Sequence, residues 1–503
     1  MANQIYTHNT GFPVGGDKEL DNTSSLHVSN VGSPAYRSAF GDVLSESVDP
    51  ITQISAQYGI PNECETFTAT GGSVSTEANM FKCTTGTNAG GYGVIRTARP
   101  TIYREGQGLM ARFTALFDES NAVANSLQFA GLFNVQDTVA FGYRGTDFGI
   151  IFDSYGAQEI RTLTITGSGN GDLELTLNSV LYTIPITTGT VEHNAYEIEA
   201  WLNANQSIWD AEQVDDKVII KNKNAVAAAG TYSIGGASGL TGNIVQDNAG
   251  AAKTATTILE EDWNGEECTF DKSKGNVFMI KMSYLGFGPI SFFILDASSG
   301  RFKRVHTIQY QNANTQPSVS NRALKLGWVA ASLGSTTDIT VKGASAATFI
   351  EGKSKLTKLA HAQSNENAAV GSTFEAVLTL KGLESYAGKA MMGRVVLQRL
   401  IVSTDGSKEV VIKLSKNATL GETDYTYHDS SESVVIYDTG NHADTENAHS
   451  LYQTQIGGGG DREVNLKDLN IDFFANETIT VYARVVSGAD ANVTASLVWV
   501  EDL

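Results

Sequence analysis

Over most of the chain, apolar side chains recur at every second position in short runs divided by Gly, Asn, Asp and Ser, the pattern of half-buried β-strands joined by turns. Tyr92 to Ile95, Leu109 to Phe117, Val139 to Tyr143 and Phe148 to Phe152 predict successive strands of a sandwich or barrel. In Asn276 to Tyr284, the face formed by Phe278, Ile280 and Met282 is expected to point to a core; Val277, Met279 and Lys281 form the other face. Ile290 to Leu295, an Asp296-Ala297-Ser298-Ser299-Gly300 turn and Phe302 to Tyr310 read as a hairpin. Leu324 to Ala331 and Ile339 to Val341 continue the pattern to about residue 352.

The texture changes between residues 158 and 252. The alternating stretches around Leu163, Leu173 and Tyr182 precede the one convincing helix, in which Ala195, Ile198, Trp201 and Leu202 form an apolar stripe behind a Thr190 N-cap. Strand-like Val218 to Lys221 and Thr231 to Ile234 follow. Together these predict a small α+β module inserted into a β-sandwich.

Residues 1–44 are rich in Asn, Gly, Ser, Thr and Asp without apolar periodicity, which predicts an extended N-terminal arm. Polar residues 353–368 read as a linker, and 369–503 as a second sandwich. Its clearest hairpin is expected to be Val395 to Val402, a Thr404-Asp405-Gly406-Ser407 turn and Glu409 to Leu414. The expected fold class is therefore mainly β: two β-sandwiches (45–352 and 369–503), with the module at 158–252 in the first.

Composition agrees with many turns and few helices: 503 residues hold 50 Gly but 8 Pro, and 41% of residues are apolar. Asp and Glu outnumber Lys and Arg 55 to 35, a formal charge of −20, which argues against binding phosphate backbones or anionic lipid. No nucleic-acid partner and no membrane insertion are expected. The first residues lack a basic and an apolar region, so no secretory leader is expected, and the five Asn-x-Ser/Thr sequences (Asn22, Asn205, Asn417, Asn476, Asn492) carry little weight. Cys64, Cys83 and Cys268 have no metal-ligand spacing and are read as free thiols, with a Cys64–Cys83 bridge as the alternative in an oxidising setting.

The search for chemistry yields weak signals. No GxSxG is present, and Glu351-Gly352-Lys353-Ser354 resembles only the tail of a phosphate loop. His442 and Asp444, in a polar loop with Glu446 and His449, are the weak metal candidates, against a solvated loop as the favoured reading. His306 is read as a hydrogen-bonded histidine within a sheet. Three acidic groupings could serve a glycosidase: Asp172 with Glu174, Glu197 with Glu199, and Glu260-Glu261-Asp262. Each is read as a solvated face. Arg96, Arg99, Arg104, Arg112 and Arg144 are read as structural partners of carboxylates.

Several phrases resemble surface and tail-associated structural proteins of tailed phages and large marine DNA viruses. They are Ala39-Phe40-Gly41-Asp42-Val43, Tyr58-Gly59-Ile60, the run Tyr103 to Thr114, Tyr284-Leu285-Gly286, the run Val305 to Tyr310, and the ending Ala495 to Glu501. The resemblance implies that both sandwiches are of the lectin-like jelly-roll type, and the inserted module is similar to small α+β decorations on phage tail and sheath proteins. The resemblance implies a non-enzymatic virion-surface or tail-fibre protein that is oligomeric, with a trimer favoured, and is docked through its arm to other virion proteins. It also implies attachment to host-surface carbohydrate, with Tyr143, Tyr155 and Trp263 as the rings on which sugar C–H faces would stack. For each ring the competing reading is a core aromatic. No cofactor is expected, with a structural calcium ion as the one allowance. The alternative function is a polysaccharide-degrading enzyme on the same fold, using acids such as Glu261 and Asp262.

Overall fold

The computed structural model describes residues 48–101, 103–236, 238–351, 360–391, 393–405, 408–421, 423–440, 442–443, 448–469, 471–488 and 490–502. The expected arm, Asp444 and residues 353–359 of the expected linker lie outside these. The described chain is mainly β, with antiparallel sheets and α1, Val191–Asn205, as the α-helix among the described residues.

In the first sandwich, strands Val48–Ser55, Ser345–Glu351, Leu109–Ala115, Asn276–Met282, Ile290–Leu295 and Phe302–Ile308 pair in that order. The facing sheet runs Thr254–Leu259, Asp147–Ser154, Thr138–Arg144, Ser126–Phe133, Lys325–Ser332, Tyr92–Thr97, Cys64–Ala69. Alternation sends Phe113, Phe278 and Ile280 from one sheet, and Ile95, Phe141 and Trp328 from the other, into a shared core. Phe141 lies 4.7 Å from Phe278 and 5.5 Å from Phe292, ring to ring. The Trp328 indole N–H donates to the Thr114 carbonyl across the sheets at 2.9 Å, so this buried ring has its polar atom satisfied. Gly343 makes room for it, since a Cβ there would lie 2.2 Å from the indole nitrogen.

Phe278, Ile280 and Met282 do face this core, and the Ile290–Leu295 and Phe302–Ile308 strands form the expected hairpin. The opposite face is also buried. Met279 packs with Met110 and Phe293, while Lys281 is enclosed 3.9 Å from Glu351. Alternation marks one face as apolar and does not require the other to be wet.

The inserted segment forms a four-stranded sheet (Trp209–Val214, Lys217–Ala225, Ala157–Gly167, Thr241–Ala251) and a three-stranded one (Val180–Ile186, Gly171–Leu177, Ser233–Gly236). The Thr190 hydroxyl accepts from the His193 amide at 3.2 Å, the N-cap the sequence predicts. Ala195, Ile198 and Leu202 are fully buried against Leu163, Trp209 and Ile220; Trp201 packs at the margin.

In the C-terminal sandwich one sheet is ordered Ala360–Val370, Ala491–Asp502, Arg394–Thr404, Asp461–Asn465. The other is ordered Thr426–Tyr427, Val435–Asp438, Glu375–Gly382, Thr478–Val485, Val410–Lys416, His449–Ile456. Two expectations are corrected. Arg394–Thr404 and Val410–Lys416 belong to different sheets and do not form a hairpin: Leu400 and Val402 from one, and Val410 and Ile412 from the other, meet across the core. Both strands have one strongly apolar face, and stacking face to face buries both. Residues 360–368, read as linker, belong to an edge strand paired with Ala491–Asp502. Its exposed positions mix alanines with Ser364, Glu366 and Asn367, and this lack of large apolar side chains hid it from the hydrophobic pattern.

Replacing Trp328 with alanine removes a fully enclosed ring and its inter-sheet hydrogen bond. The Trp328→Ala variant is expected to lose about 3–5 kcal/mol, read as a lower urea midpoint by tryptophan fluorescence.

Candidate functional site

Three cores meet through charged side chains. Between the first and C-terminal sandwiches, Arg104 grips Asp502 with both guanidinium nitrogens, the second contact at 2.8 Å, and Arg99 pairs with Asp472 at 2.9 Å. Arg394 lies between, 3.5 Å from Asp502 and 3.8 Å from Asp472. Between the module and the C-terminal sandwich, Ile160, Val214 and Ile219 pack on Leu383, Tyr425 and Ile436. Beside this apolar contact, Lys221 pairs with Glu384 at 2.6 Å, and Lys381 lies 3.5 Å from Glu212 and 3.7 Å from Glu199. The Glu384 amide donates to Glu212 Oε2 at 2.8 Å, and the Asp215 amide to the Tyr425 carbonyl at 3.0 Å.

Burial pushes the Glu212 carboxyl up to about 7 and raises that of Glu199. Burial opposes the charge of Lys381, but the fields of Glu212 and Glu199 overcome it and hold the ammonium above the ordinary lysine value.

A cavity of 330 Å³ opens beside this network. Helix α1 builds one wall: with Ala195, Ile198 and Leu202 fixed in the module core, Tyr196, Glu199, Ala200 and Asn203 recur at i, i+3, i+4 and i+7 on a second face toward the cavity. Strand ends of the C-terminal sandwich build the other wall. Asn417 and Asn476 sit in left-handed turns (φ 55° and 61°), a conformation Asn tolerates better than most side chains. The Asn417 amide donates to the Thr478 carbonyl at 2.9 Å, and the Thr478 amide returns a bond to Asn417 Oδ1 at 3.2 Å. Lys381 and Tyr425 close the floor, the ammonium 5.1 Å from the tyrosine ring centre. The buried Thr478 hydroxyl has no hydrogen-bond partner among the described residues. The arrangement presents amides, hydroxyls and one carboxylate to a ligand over a floor of paired charge.

The three aromatic residues singled out from the sequence do not line this cavity. Tyr143 is 3% exposed, packed against Phe117 and Phe148 in the first core, so its ring offers no free face. Trp263 stacks on Phe270 at 6.4 Å, meets Phe141 and Phe148 edge-on, and donates its N–H to the Ile258 carbonyl at 3.2 Å. These two are core aromatics, as the competing reading had it. Tyr155 lies elsewhere with positive φ (63°), its hydroxyl bonded to that of Tyr310 and to the Pro317 carbonyl at 2.5 Å. The three do not form one platform.

Of the acidic groupings, Glu260 pairs with Lys272 at 2.6 Å, Glu261 and Asp262 complete a short 3₁₀ turn, and Asp172 and Glu174 are exposed. Glu197 accepts from the Thr187 amide at 2.9 Å, at the helix entrance. Glu199 departs from expectation: read as solvated, it lies against Lys381 at the cavity. Arg96, Arg99, Arg104 and Arg144 pair with Glu65, Asp472, Asp502 and Asp153. Arg112 instead lies over the rings of Phe302 and Phe349. The His442 Nε2–H donates to the Asp438 carboxylate at 2.8 Å, and no metal-binding grouping of His, Cys, Asp and Glu occurs among the described residues. His306 Nδ1 accepts from the Asn264 amide at 3.3 Å, as expected of a histidine within a sheet. The cysteines are free, and burial pushes each thiol up to about 12. No described helix is long and apolar enough to cross a membrane.

Lys381 was not singled out from the sequence, and Asn417 and Asn476 were named only as Asn-x-Ser/Thr sequences. The signal available was the second, polar stripe of the helix at i, i+3, i+4 and i+7.

No family model matches the sequence, and no curated protein matches it. Among solved structures the chain is similar to arcelin-5, a lectin-like defence protein from Phaseolus vulgaris, at 9% identity over 60% of this chain and 99% of that one, with a TM-score of 0.26. It is also similar to lectin UEA-II complexed with galactose (9% identity, 60% and 100% covered, TM-score 0.24). A further likeness is to the exoplasmic/lumenal domain of VIP36 in its Ca²⁺/Man3GlcNAc-bound form (10% identity, 62% and 93% covered, TM-score 0.26). At these scores the similarity assigns no ligand or role to this chain.

Removing Lys381 leaves Glu212 buried without its counter-ion. The Lys381→Met variant is expected to lose stability above neutral pH, by up to about 3–5 kcal/mol. The carboxyls it unmasks have raised pKa values, so their neutral forms fold without penalty at low pH and the deficit grows as pH rises through about 7. Urea unfolding at roughly pH 5 and roughly pH 8 checks the sign.

Proposed function

We propose that this chain is a non-enzymatic structural protein of a virus particle, an oligomeric surface or tail-fibre component that contributes to attachment to host carbohydrate. The virion assignment takes its support from the sequence phrases around Tyr103 to Thr114, Val305 to Tyr310 and Ala495 to Glu501. The display role is carried by one observation: carboxylates at the junctions of the three cores are held by Lys and Arg of the neighbouring core, as at Lys221–Glu384 and Arg104–Asp502. Such ties hold sandwiches in fixed relation, which suits a scaffold presenting a surface to a partner. The N-terminal segment is proposed as the contact to other particle proteins.

A second reading, a polysaccharide-degrading enzyme, draws on Glu199 at the cavity with its raised pKa. A glycosidase needs two carboxyls around the scissile bond, and Glu212, which shares Lys381 with Glu199, is fully buried.

The solution mass of the full chain, measured by size-exclusion chromatography with light scattering, tests the proposal. A mass of about three times 53.6 kDa is expected, and its loss on adding a chelator would identify a structural calcium ion in the assembly. A monomer that releases reducing ends from host polysaccharide would overturn the proposal in favour of the enzyme.

A further inference from the structure

We propose that the cavity between helix α1 and the strand ends of the C-terminal sandwich is a binding site for a neutral sugar, held by Glu199, Asn417, Asn476 and Thr478 beside the ring of Tyr196. This inference rests on the attachment role proposed above and gives it a location.

The cavity, at 330 Å³, falls in the size range of small-ligand sites. Its chemistry narrows the ligand. Fixed charge at the floor comes as an opposed pair, Lys381 and Glu199 at 3.7 Å, backed by Glu212. An anionic ligand would approach Glu199, and an ammonium ligand would approach Lys381, each at an electrostatic cost. A neutral polyol meets neither penalty: its hydroxyls donate to the carboxylate and accept from side-chain amides. The chain's net charge of −20 weighs further against an acidic ligand.

A second observation is independent of the charges. Thr478 lines the cavity, and its hydroxyl, enclosed behind that wall, has no hydrogen-bond partner among the described residues. A buried polar group left unpaired costs free energy, and a rotation of the Thr478 side chain toward the cavity would let a ligand hydroxyl satisfy it. Tyr196, half-buried on the same wall, supplies a ring edge or face for sugar C–H groups, while Ala200, one helical turn on, leaves space beside it. The apolar stripe of α1 is locked in the module core, so the helix holds this wall in place before any ligand arrives.

Saturation-transfer NMR on the full chain tests the site, with glucose, galactose, mannose and N-acetylglucosamine as neutral probes and glucuronic acid as the charged comparator. Wild type is expected to bind at least one neutral sugar and not glucuronic acid. Thr419→Trp, which fills the exposed rim without touching the buried network, is expected to abolish the signal while circular dichroism stays unchanged. Glu199→Gln, which keeps the shape and removes the charged acceptor, is expected to weaken binding about tenfold. Sugar binding that persists in Thr419→Trp overturns this site and leaves the attachment role standing elsewhere on the chain. Binding of glucuronic acid that Thr419→Trp abolishes overturns the neutral-ligand assignment. Absence of binding to every probe by wild type overturns the inference together with the carbohydrate role on which it rests.

Discussion

A charge withdrawn from water must find an opposite charge or be neutralised, and this constraint fixes how the three cores of the chain are assembled. Lys381 shows it most clearly. Its ammonium is enclosed on a strand of the C-terminal sandwich, while the carboxylates that answer it, Glu199 and Glu212, belong to the inserted module. Neither side can bury its group alone without a penalty of several kcal/mol, so the docked arrangement is the one in which both are satisfied. Arg104 and Asp502 impose the same condition between the two sandwiches. Apolar contact at Ile160, Leu383 and Tyr425 supplies attraction without direction, and the ion pairs supply the direction.

The cavity is a consequence of that docking. Helix α1 has two working faces: Ala195, Ile198 and Leu202 anchor it in the module, and Glu199 on the other face is drawn to Lys381. The neighbouring positions Tyr196, Ala200 and Asn203 are carried to the same side and face strand ends that carry turns rather than bulky side chains. Two convex bodies held together at a charged contact leave a gap beside it, and here the gap is lined by whichever groups the helix period and the turns deliver. The lining is largely polar because the helix stripe flanking the apolar one carries Tyr196, Glu199 and Asn203.

Features set by neighbouring residues were legible in the sequence; those set by distant partners were not. The Thr190 cap, the apolar stripe of α1 and the hairpin around Ser299 follow from local spacing and are present. The expected pairing of Arg394–Thr404 with Val410–Lys416 failed because alternation says which side of a strand is apolar and is silent on whether that side meets a neighbour in the same sheet or in the facing one. Strand Ala360–Val370 was missed because an edge strand with one wet face lacks the apolar density of a central strand. Glu199 was read as solvated because its burial depends on Lys381, 182 positions away in sequence, and no local pattern announces such a partner. Tyr143 and Trp263, which the resemblance offered as sugar-stacking rings against a core position as the competing reading, pack with the aromatic side chains of the first core.

The same constraint bears on the outside of the molecule. Arg96, Arg99, Arg104, Arg144, Lys221 and Lys381 are all engaged with the chain's own carboxylates. Exposed carboxylates such as Asp172, Glu174, Glu261 and Asp262 remain outside, and the chain as a whole keeps a formal excess of −20. A surface so biased repels copies of itself over a distance set by salt, about 8 Å at physiological ionic strength. Any assembly of these chains must then be driven by short-range contact that begins inside that distance, through apolar or hydrogen-bonding patches or bridging cations, rather than by complementary fields acting from afar.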